Sequence, residues 1–95
     1  AAVPVPWALM YPTCSAVMPA RIAFSLPGEA AVTLRIHDLQ GRVVRTLVRG
    51  PASAGLNEHI WDGTGDDGRR AASGIYFTVL DTPDLRLTRK LILAR

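Results

Sequence analysis

The sequence predicts an all-β sandwich, and two observations carry that prediction. Apolar and polar residues alternate with a period of two along most of the chain. Turn-forming residues interrupt this alternation about every 8–12 residues, which is the spacing of short strands in a sandwich. Helical spacing of apolar residues is nearly absent. With 95 residues, the chain is expected to form one domain around one hydrophobic core.

Six strands are predicted after residue 19, each bounded by turn residues. They span residues 20–26, 32–37, 42–49, 56–61, 75–80 and 85–94. In the second of these, Val32, Leu34 and Ile36 alternate with polar residues, as in a strand with one buried face. Gly41 lies in the tight turn that follows, where a positive φ is expected.

Two longer connections are predicted between these strands. Residues 50–55 contain two glycines and a proline, and they are predicted as a loop. Residues 62–73 are polar and rich in glycine, and they are predicted as a second loop.

Residues 1–19 are predicted as an N-terminal arm, separate from a sandwich that comprises residues 20–95. Pro4, Pro6 and Pro12 share one parity, so all three missing N–H groups lie along one edge of an extended strand. We therefore predict an edge strand that pairs through its other edge only, either with its own sheet or with the sheet of a neighbour. The opposite parity carries large side chains, which form the predicted assembly interface: Val3, Val5, Trp7, Leu9 and Tyr11.

Charge and cysteine content exclude several functional classes. The net charge of +3 comes from ten arginines and one lysine spread along the chain, and aromatic residues make up only 6%. This pattern lacks the clustering and stacking side chains of a nucleic-acid-binding surface. No apolar run approaches the ~20 residues that span a bilayer. The lone Cys14 cannot form an internal disulfide, and it is expected to be buried or to form an intermolecular disulfide.

The loop of residues 62–73 contains two patterns that suggest ligand sites. Residues 63–68 match G-x-G-x-x-G, but a strand follows instead of the helix that a dinucleotide site needs. Asp62, Thr64 and Asp66 have the spacing that begins a calcium loop, but Asp67 replaces its glycine and Ser73 its glutamate. We expect these aspartates to cap turns, with a weak cation site as the alternative.

Catalytic and metal-binding groups are not predicted. His37 and His59 lie in alternating strands, and the adjacent Asp38 and Glu58 point to the opposite faces. The two histidines are therefore expected to be exposed strand residues. Together with Cys14 they do not supply the four ligands that zinc usually takes. The sequence predicts a protein that is not an enzyme and that has no cofactor.

Several short segments, in order, carry a family resemblance. They are residues 22–27, 32–47, 54–55, 61–63, 67–68, 73–77 and 89–93. Residues 20–95 resemble the immunoglobulin-like domain of the bacterial flagellar hook-capping protein and its relatives, the C-terminal sorting domains of the type IX secretion system. The resemblance implies an immunoglobulin-like antiparallel β-sandwich of about seven strands. Its expected structural residues are Trp61, Asp62, Gly63, Gly68, Gly74 and Tyr76.

Two functions are compatible with these features. The first is a secreted structural module that assembles with copies of itself, as a subunit of an extracellular or cell-surface filament linked through the N-terminal strand. The alternative is a sorting or accessory domain of a larger surface protein, with a secretion component as its partner. Ligand binding by the sandwich has weaker support. The start Ala1-Ala2-Val3 suits a removed signal peptide, and an arbitrary chain boundary gives the same start.

Overall fold

The computed structural model describes residues 9–10, 15–16, 19–83 and 86–94, which form eight β-strands. The strands are β1 (Leu9–Met10), β2 (Ser15–Ala16), β3 (Ala20–Leu26), β4 (Ala30–His37), β5 (Val43–Ala52), β6 (Gly55–Trp61), β7 (Gly74–Asp81) and β8 (Arg86–Leu93). The predicted all-β class is confirmed, and β3–β8 correspond to the six strands predicted after residue 19. Within the described ranges no helix is long and apolar enough to cross a membrane.

The strands form two sheets. One contains β1, β3 and β6 in that order, and the other contains β2, β8, β7, β4 and β5. Neighbouring strands are antiparallel apart from the short β2–β8 pair, which is parallel. A parallel pair needs a long connection, and here the whole of β3–β7 lies between the two partners.

The hydrophobic core lies between the sheets and takes side chains from both. In β3 and β4 every second residue is buried, so the alternation predicted for these two strands is confirmed. The packing of two inner faces around one core is the arrangement of a β-sandwich. The core residues are Ala20, Ile22, Phe24, Leu26, Val32, Leu34, Ile36, Ala52, Trp61, Tyr76, Leu80, Leu91 and Leu93.

The turn between β4 and β5 is fixed by Asp38. The Asp38 carboxylate accepts hydrogen bonds from the backbone N–H of Gln40 at 3.0 Å and of Arg42 at 2.9 Å. Gly41 has φ 85°, so the positive φ predicted for it is confirmed. An aspartate that bonds to the backbone two residues later is a common way to set a tight turn.

The prediction of a loop over residues 50–55 is wrong at residues 50–52, which belong to β5, and at Gly55, which begins β6. β5 continues through Gly50 and Pro51 to Ala52, and Pro51 pairs in register with Ala31 of β4. The proline is tolerated because β5 is the last of the described strands in its sheet, and an edge strand forms ladder hydrogen bonds on one side only. Only residues 53 and 54 connect β5 to β6.

A pair of matched substitutions tests the position of the core. Leu80→Ala is expected to lower the free energy of unfolding by about 2–5 kcal/mol, because the removed side chain is fully buried and leaves a cavity. Leu56→Ala makes the same change at a site that is 61% exposed, and its effect should stay within about 0.5 kcal/mol. Urea unfolding followed by tryptophan fluorescence measures both, and equal losses would contradict the assigned core.

Candidate assembly site

The N-terminal segment places one short strand on each sheet. Leu9 is in register with Ser25 of β3, and Met10 is in register with Phe24. Six residues further along, Ser15 and Ala16 lie parallel to Ile92 and Leu93 of β8, in the other sheet. Residues 9–10 therefore pair within their own chain.

Most of the predicted assembly interface lies outside the described residues. Of its five side chains, Leu9 alone belongs to a described strand, at the edge of the three-stranded sheet. Val3, Val5, Trp7 and Tyr11 lie outside the described ranges, as does Cys14. The interface and the boundary between arm and sandwich at residue 19 stay predictions.

Trp61 anchors the beginning of the loop that spans residues 62–73. Its side chain is fully buried, and its indole Nε1–H donates a 2.8 Å hydrogen bond to the backbone carbonyl of Thr64. The Trp61 ring contacts the ring of Tyr76 edge-on, with centroids 5.6 Å apart. This geometry is a favourable one for two aromatic rings.

Two aspartates in this loop cap turns. Asp62 Oδ1 accepts hydrogen bonds from the backbone N–H of Thr64 at 3.0 Å and from its hydroxyl at 2.6 Å. Asp67 Oδ1 accepts one from the backbone N–H of Arg69 at 2.9 Å. Gly63 and Gly68 follow the two aspartates with φ 85° and 82°, values that glycine adopts without strain.

The middle of the loop is bound to β5, in the opposite sheet. The backbone N–H of Asp66 donates to the carbonyl of Val44 at 2.8 Å, and Asp66 Oδ1 accepts from the backbone N–H of Thr46 at 3.2 Å. Arg45 Nη1 donates to the carbonyl of Gly65 at 3.1 Å. Asp66 therefore contacts β5 with its side chain instead of joining a cation site with Asp62. Among the described residues no group of three or more metal-ligating side chains is placed to hold an ion.

Gly65 is a structural residue that sequence reasoning missed. A Cβ on Gly65 would lie 3.1 Å from the carbonyl oxygen of Val44, which is too close for an ordinary contact. A side chain here would also lie 3.0 Å from Asp67 Oδ1, so its neighbours would have to shift by a few tenths of an ångström, and glycine fits this close approach of the loop to β5. No local sequence signal identifies this contact, because its partner lies about twenty residues earlier in the chain.

The end of the loop is bonded to Tyr76, near the start of β7. The Tyr76 hydroxyl donates a 2.5 Å hydrogen bond to the backbone carbonyl of Ala72, four residues earlier. Gly74 begins the strand with φ 153°. A tyrosine near the start of this strand that bonds back to the preceding corner is a hallmark of immunoglobulin-type sandwiches.

Sequence comparison also assigns the chain to an immunoglobulin-like fold. The profile of the family described as "FlgD Ig-like domain" matches residues 13–82. The chain belongs to this family. Its matched part includes residues 62–73 together with Trp61 and Tyr76, so the anchoring contacts described above lie within the family's domain.

Curated relatives cover a smaller part of the chain. The basal-body rod modification protein FlgD of Escherichia coli strain K12 is 47% identical over 45 residues, which are 47% of this chain and 20% of that protein. The protein of the same name from Salmonella typhimurium is also 47% identical over 45 residues and is covered to 19%. The match spans about a fifth of the length of these relatives.

A solved structure shares the fold. A chain of PorZ, described as an essential bacterial surface component of the type IX secretion system of Porphyromonas gingivalis, superimposes with a TM-score of 0.56. The likeness covers 93% of this chain and 11% of the PorZ chain, at 22% sequence identity. At this identity the comparison shows the fold alone.

The histidines of this FlgD-type domain do not lie where the sequence predicted. His59 points inward and stacks on Phe24, with ring centroids 5.8 Å apart and planes 14° from parallel. His37 is half-buried, and within the described part of the chain its Nε2 has no hydrogen-bond partner. The expectation of exposed histidines was wrong. His59 lies on the same face of β6 as the buried Trp61 and therefore faces the core. His37 lies on the outer face of its sheet, in register with Phe77 and Val43, but is half-buried there.

The outer face of the three-stranded sheet carries exposed apolar side chains near a free edge. Leu56 and Ile60 of β6 are 61% and 55% exposed. Glu58 lies between them and pairs with Arg21 of β3, with Arg21 Nε 3.4 Å from the carboxylate. β6 is the last strand of its sheet among the described residues.

Replacing Tyr76 by phenylalanine tests the bond that closes the loop. Tyr76→Phe should lower the free energy of unfolding by about 1–2 kcal/mol, because the carbonyl of Ala72 loses its donor in a partly buried place. Thr88→Val, which removes a hydroxyl from an exposed strand position, should change it by less than about 0.5 kcal/mol. Denaturant unfolding measures both, and a neutral Tyr76→Phe would show that the bond contributes nothing.

The cap at Asp62 predicts a dependence of stability on pH. The hydroxyl and the backbone N–H of Thr64 hold the pKa of Asp62 below its ordinary value of 3.8. A carboxyl group whose pKa is lower in the folded state stabilises the fold above the unfolded pKa, and this stabilisation is lost as the pH falls through the folded value. As the pH falls from about 5 through the lowered pKa of folded Asp62, Asp62→Asn should therefore lose less stability than the original chain.

Carbon-detected NMR titration of the Asp62 carboxyl checks the cause directly. Its midpoint is expected below 3.8. A midpoint at or above that value, or an unchanged pH dependence in Asp62→Asn, would contradict the assigned cap.

Proposed function

We propose that this domain is a non-enzymatic structural module that acts by protein–protein assembly, in an extracellular or cell-surface filament. The family supports this role, because the FlgD Ig-like domain occurs in proteins named for modification of the basal-body rod. The observation that carries the proposal is the position of β1. It is a two-residue strand at the edge of a sheet, which is the place where one chain can replace a strand of another.

Strand exchange at β1 would connect copies through the pairing with β3 that already exists within one chain. The pairing of Leu9 with Ser25 is the same whether the strand comes from its own chain or from a neighbour. If each copy donates residues 1–12 to the next, the contact is head-to-tail, and a head-to-tail contact that does not close into a ring produces a filament. Val3, Val5, Trp7 and Tyr11 would extend the contact along the acceptor sheet.

The parity of the N-terminal prolines fits this use. Pro4, Pro6 and Pro12 remove hydrogen-bond donors from one edge of the strand only. The donated strand would therefore pair with one acceptor and present a blocked edge to further copies. Such blocking prevents lateral aggregation, which exposed edge strands otherwise promote.

The sorting-domain alternative has a different experimental signature. A sorting domain acts as a monomer and directs an attached protein to export. Fusion of the domain to a reporter in a host with a type IX secretion system distinguishes the two, since export of the fusion would support the alternative. The likeness to PorZ supplies only the fold for this reading.

Removal of the N-terminal strand tests the assembly proposal. The full chain is expected to form oligomers whose mass rises with concentration, whereas a chain lacking residues 1–12 should remain a monomer. Light-scattering mass and negative-stain electron microscopy measure the difference. Near-ultraviolet circular dichroism of the buried Trp61 shows whether the shortened chain still folds.

A peptide supplies the control for this deletion. A synthetic peptide of residues 1–12 should bind the shortened chain, whereas a peptide with serine at the five odd interface positions from Val3 to Tyr11 should bind at least about tenfold more weakly. Trp7→Ala in the full chain should weaken assembly without shortening the protein. A full chain that is monomeric at high micromolar concentration would refute the proposal.

A further inference from the structure

The outer face of the five-stranded sheet concentrates the positive charge of the chain. Its outward positions on β4, β5, β7 and β8 are set by the strand register, and four of them hold arginine or lysine: Arg35, Arg49, Arg86 and Lys90. His37 also lies on this face, in register with Phe77, and it is neutral in the formal charge count. One outward position, Asp81, is acidic. Four basic groups and one acidic group give this face a net charge of +3, which equals the formal net charge of the whole chain.

The acid on this face does not neutralise the remaining cations. Arg86 Nε lies 2.6 Å from Asp81 Oδ1, so the one carboxylate is already bound by its cross-strand neighbour. Within the described residues, Arg35, Arg49 and Lys90 have no carboxylate partner. Outside this face, arginines have acidic partners: Arg21 is paired with Glu58, and Arg42 is paired with Asp38.

Apolar side chains lie beside these cations. Ile75 of β7 and Ile92 of β8 are directly opposite each other, and they are 41% and 37% exposed. Phe77 is half-buried and lies opposite Lys90, while Val43 at the β5 side is 48% exposed. Val79 also points outward but is only 4% exposed, so the side chains around it form a closed surface.

The residues of this face are better suited to binding a protein than to binding a lipid bilayer. Membrane-binding faces usually present apolar side chains that enter the boundary between headgroups and acyl chains. Here Ile75 and Ile92 are only partly exposed, and threonines at positions 33, 46 and 88 separate the charged positions. Arginine pairs well with carboxylates through two parallel hydrogen bonds, which favours an acidic protein partner.

We propose that the basic face, defined by Arg35, Arg49, Lys90 and the apolar pair Ile75 and Ile92, binds an acidic surface of a partner protein. This inference rests on the proposed role in assembly, and it names a second contact that is independent of residues 1–12. Four adjacent strands span about 14 Å and four outward rows span about 20 Å, so the face covers roughly 300 Å².

The size of the face predicts the strength of binding. A stable interface buries about 800 Å² on each partner, so this face alone supports a weak contact. Long-range attraction between opposite charges raises the association rate and is reduced by salt. The contact should therefore be strongest at low ionic strength and should weaken steeply as salt is added.

Charge-matched variants of the full chain test this proposal. The probe is a fluorescein-labelled random copolymer of glutamate and tyrosine, which is an acidic polypeptide with apolar side chains. Arg35→Gln, Arg49→Gln and Lys90→Gln together should weaken binding by at least about tenfold in fluorescence anisotropy at low salt. The control combines Arg21→Gln, Arg69→Gln and Arg70→Gln, which removes the same charge elsewhere and should weaken binding by less than about threefold.

Three outcomes would overturn the proposal. These are the absence of copolymer binding by the original chain at low salt, equal losses in the two triple variants, and binding to phosphatidylglycerol vesicles without binding to the copolymer. Thermal unfolding of both variants verifies that they fold. The face variant should keep the oligomeric mass of the original chain, so failure here is distinguishable from failure of strand exchange through residues 1–12.

Discussion

The structure depends on how the loop between β6 and β7 is held. Trp61 is buried at the end of the three-stranded sheet and binds the carbonyl of Thr64. The next turns bond to Val44 and Thr46 of β5, and Tyr76 closes the loop in β7. The loop therefore starts in one sheet and is bonded to the other, which joins the two sheets at this end. Because the core lies between those sheets, this connection holds their inner faces together around it.

Sequence periodicity was sufficient for the sandwich but not for all of its edges. The alternation in β3 and β4 predicted which residues are buried, because burial on one face of a strand imposes a period of two. It failed at Gly50 and Pro51, which continue β5 although both residues usually mark loops. At an edge strand only one side forms ladder hydrogen bonds, so local composition does not decide whether the strand ends.

The candidate site was predictable only where its contacts are local. The cap at Asp62 joins residues two apart, so sequence reasoning identified it. The contact of Asp66 with β5 joins residues twenty apart and was not foreseen. The basic face was also missed, since its arginines are spread along the sequence and only the register of four strands brings them onto one surface. Spread charge in the sequence was therefore a poor guide to its distribution on the fold.

The two proposed contacts use different sheets, and this separation has a consequence for assembly. β1 extends the edge of the three-stranded sheet, whereas Arg35 and Lys90 lie on the outer face of the five-stranded sheet. A strand donated beside β3 therefore leaves the basic face uncovered. In a filament each copy would present one such face, and many weak contacts acting together bind far more tightly than one. The small area of the basic face is thus compatible with tight binding of an acidic partner, provided that strand donation has already aligned the copies in a filament.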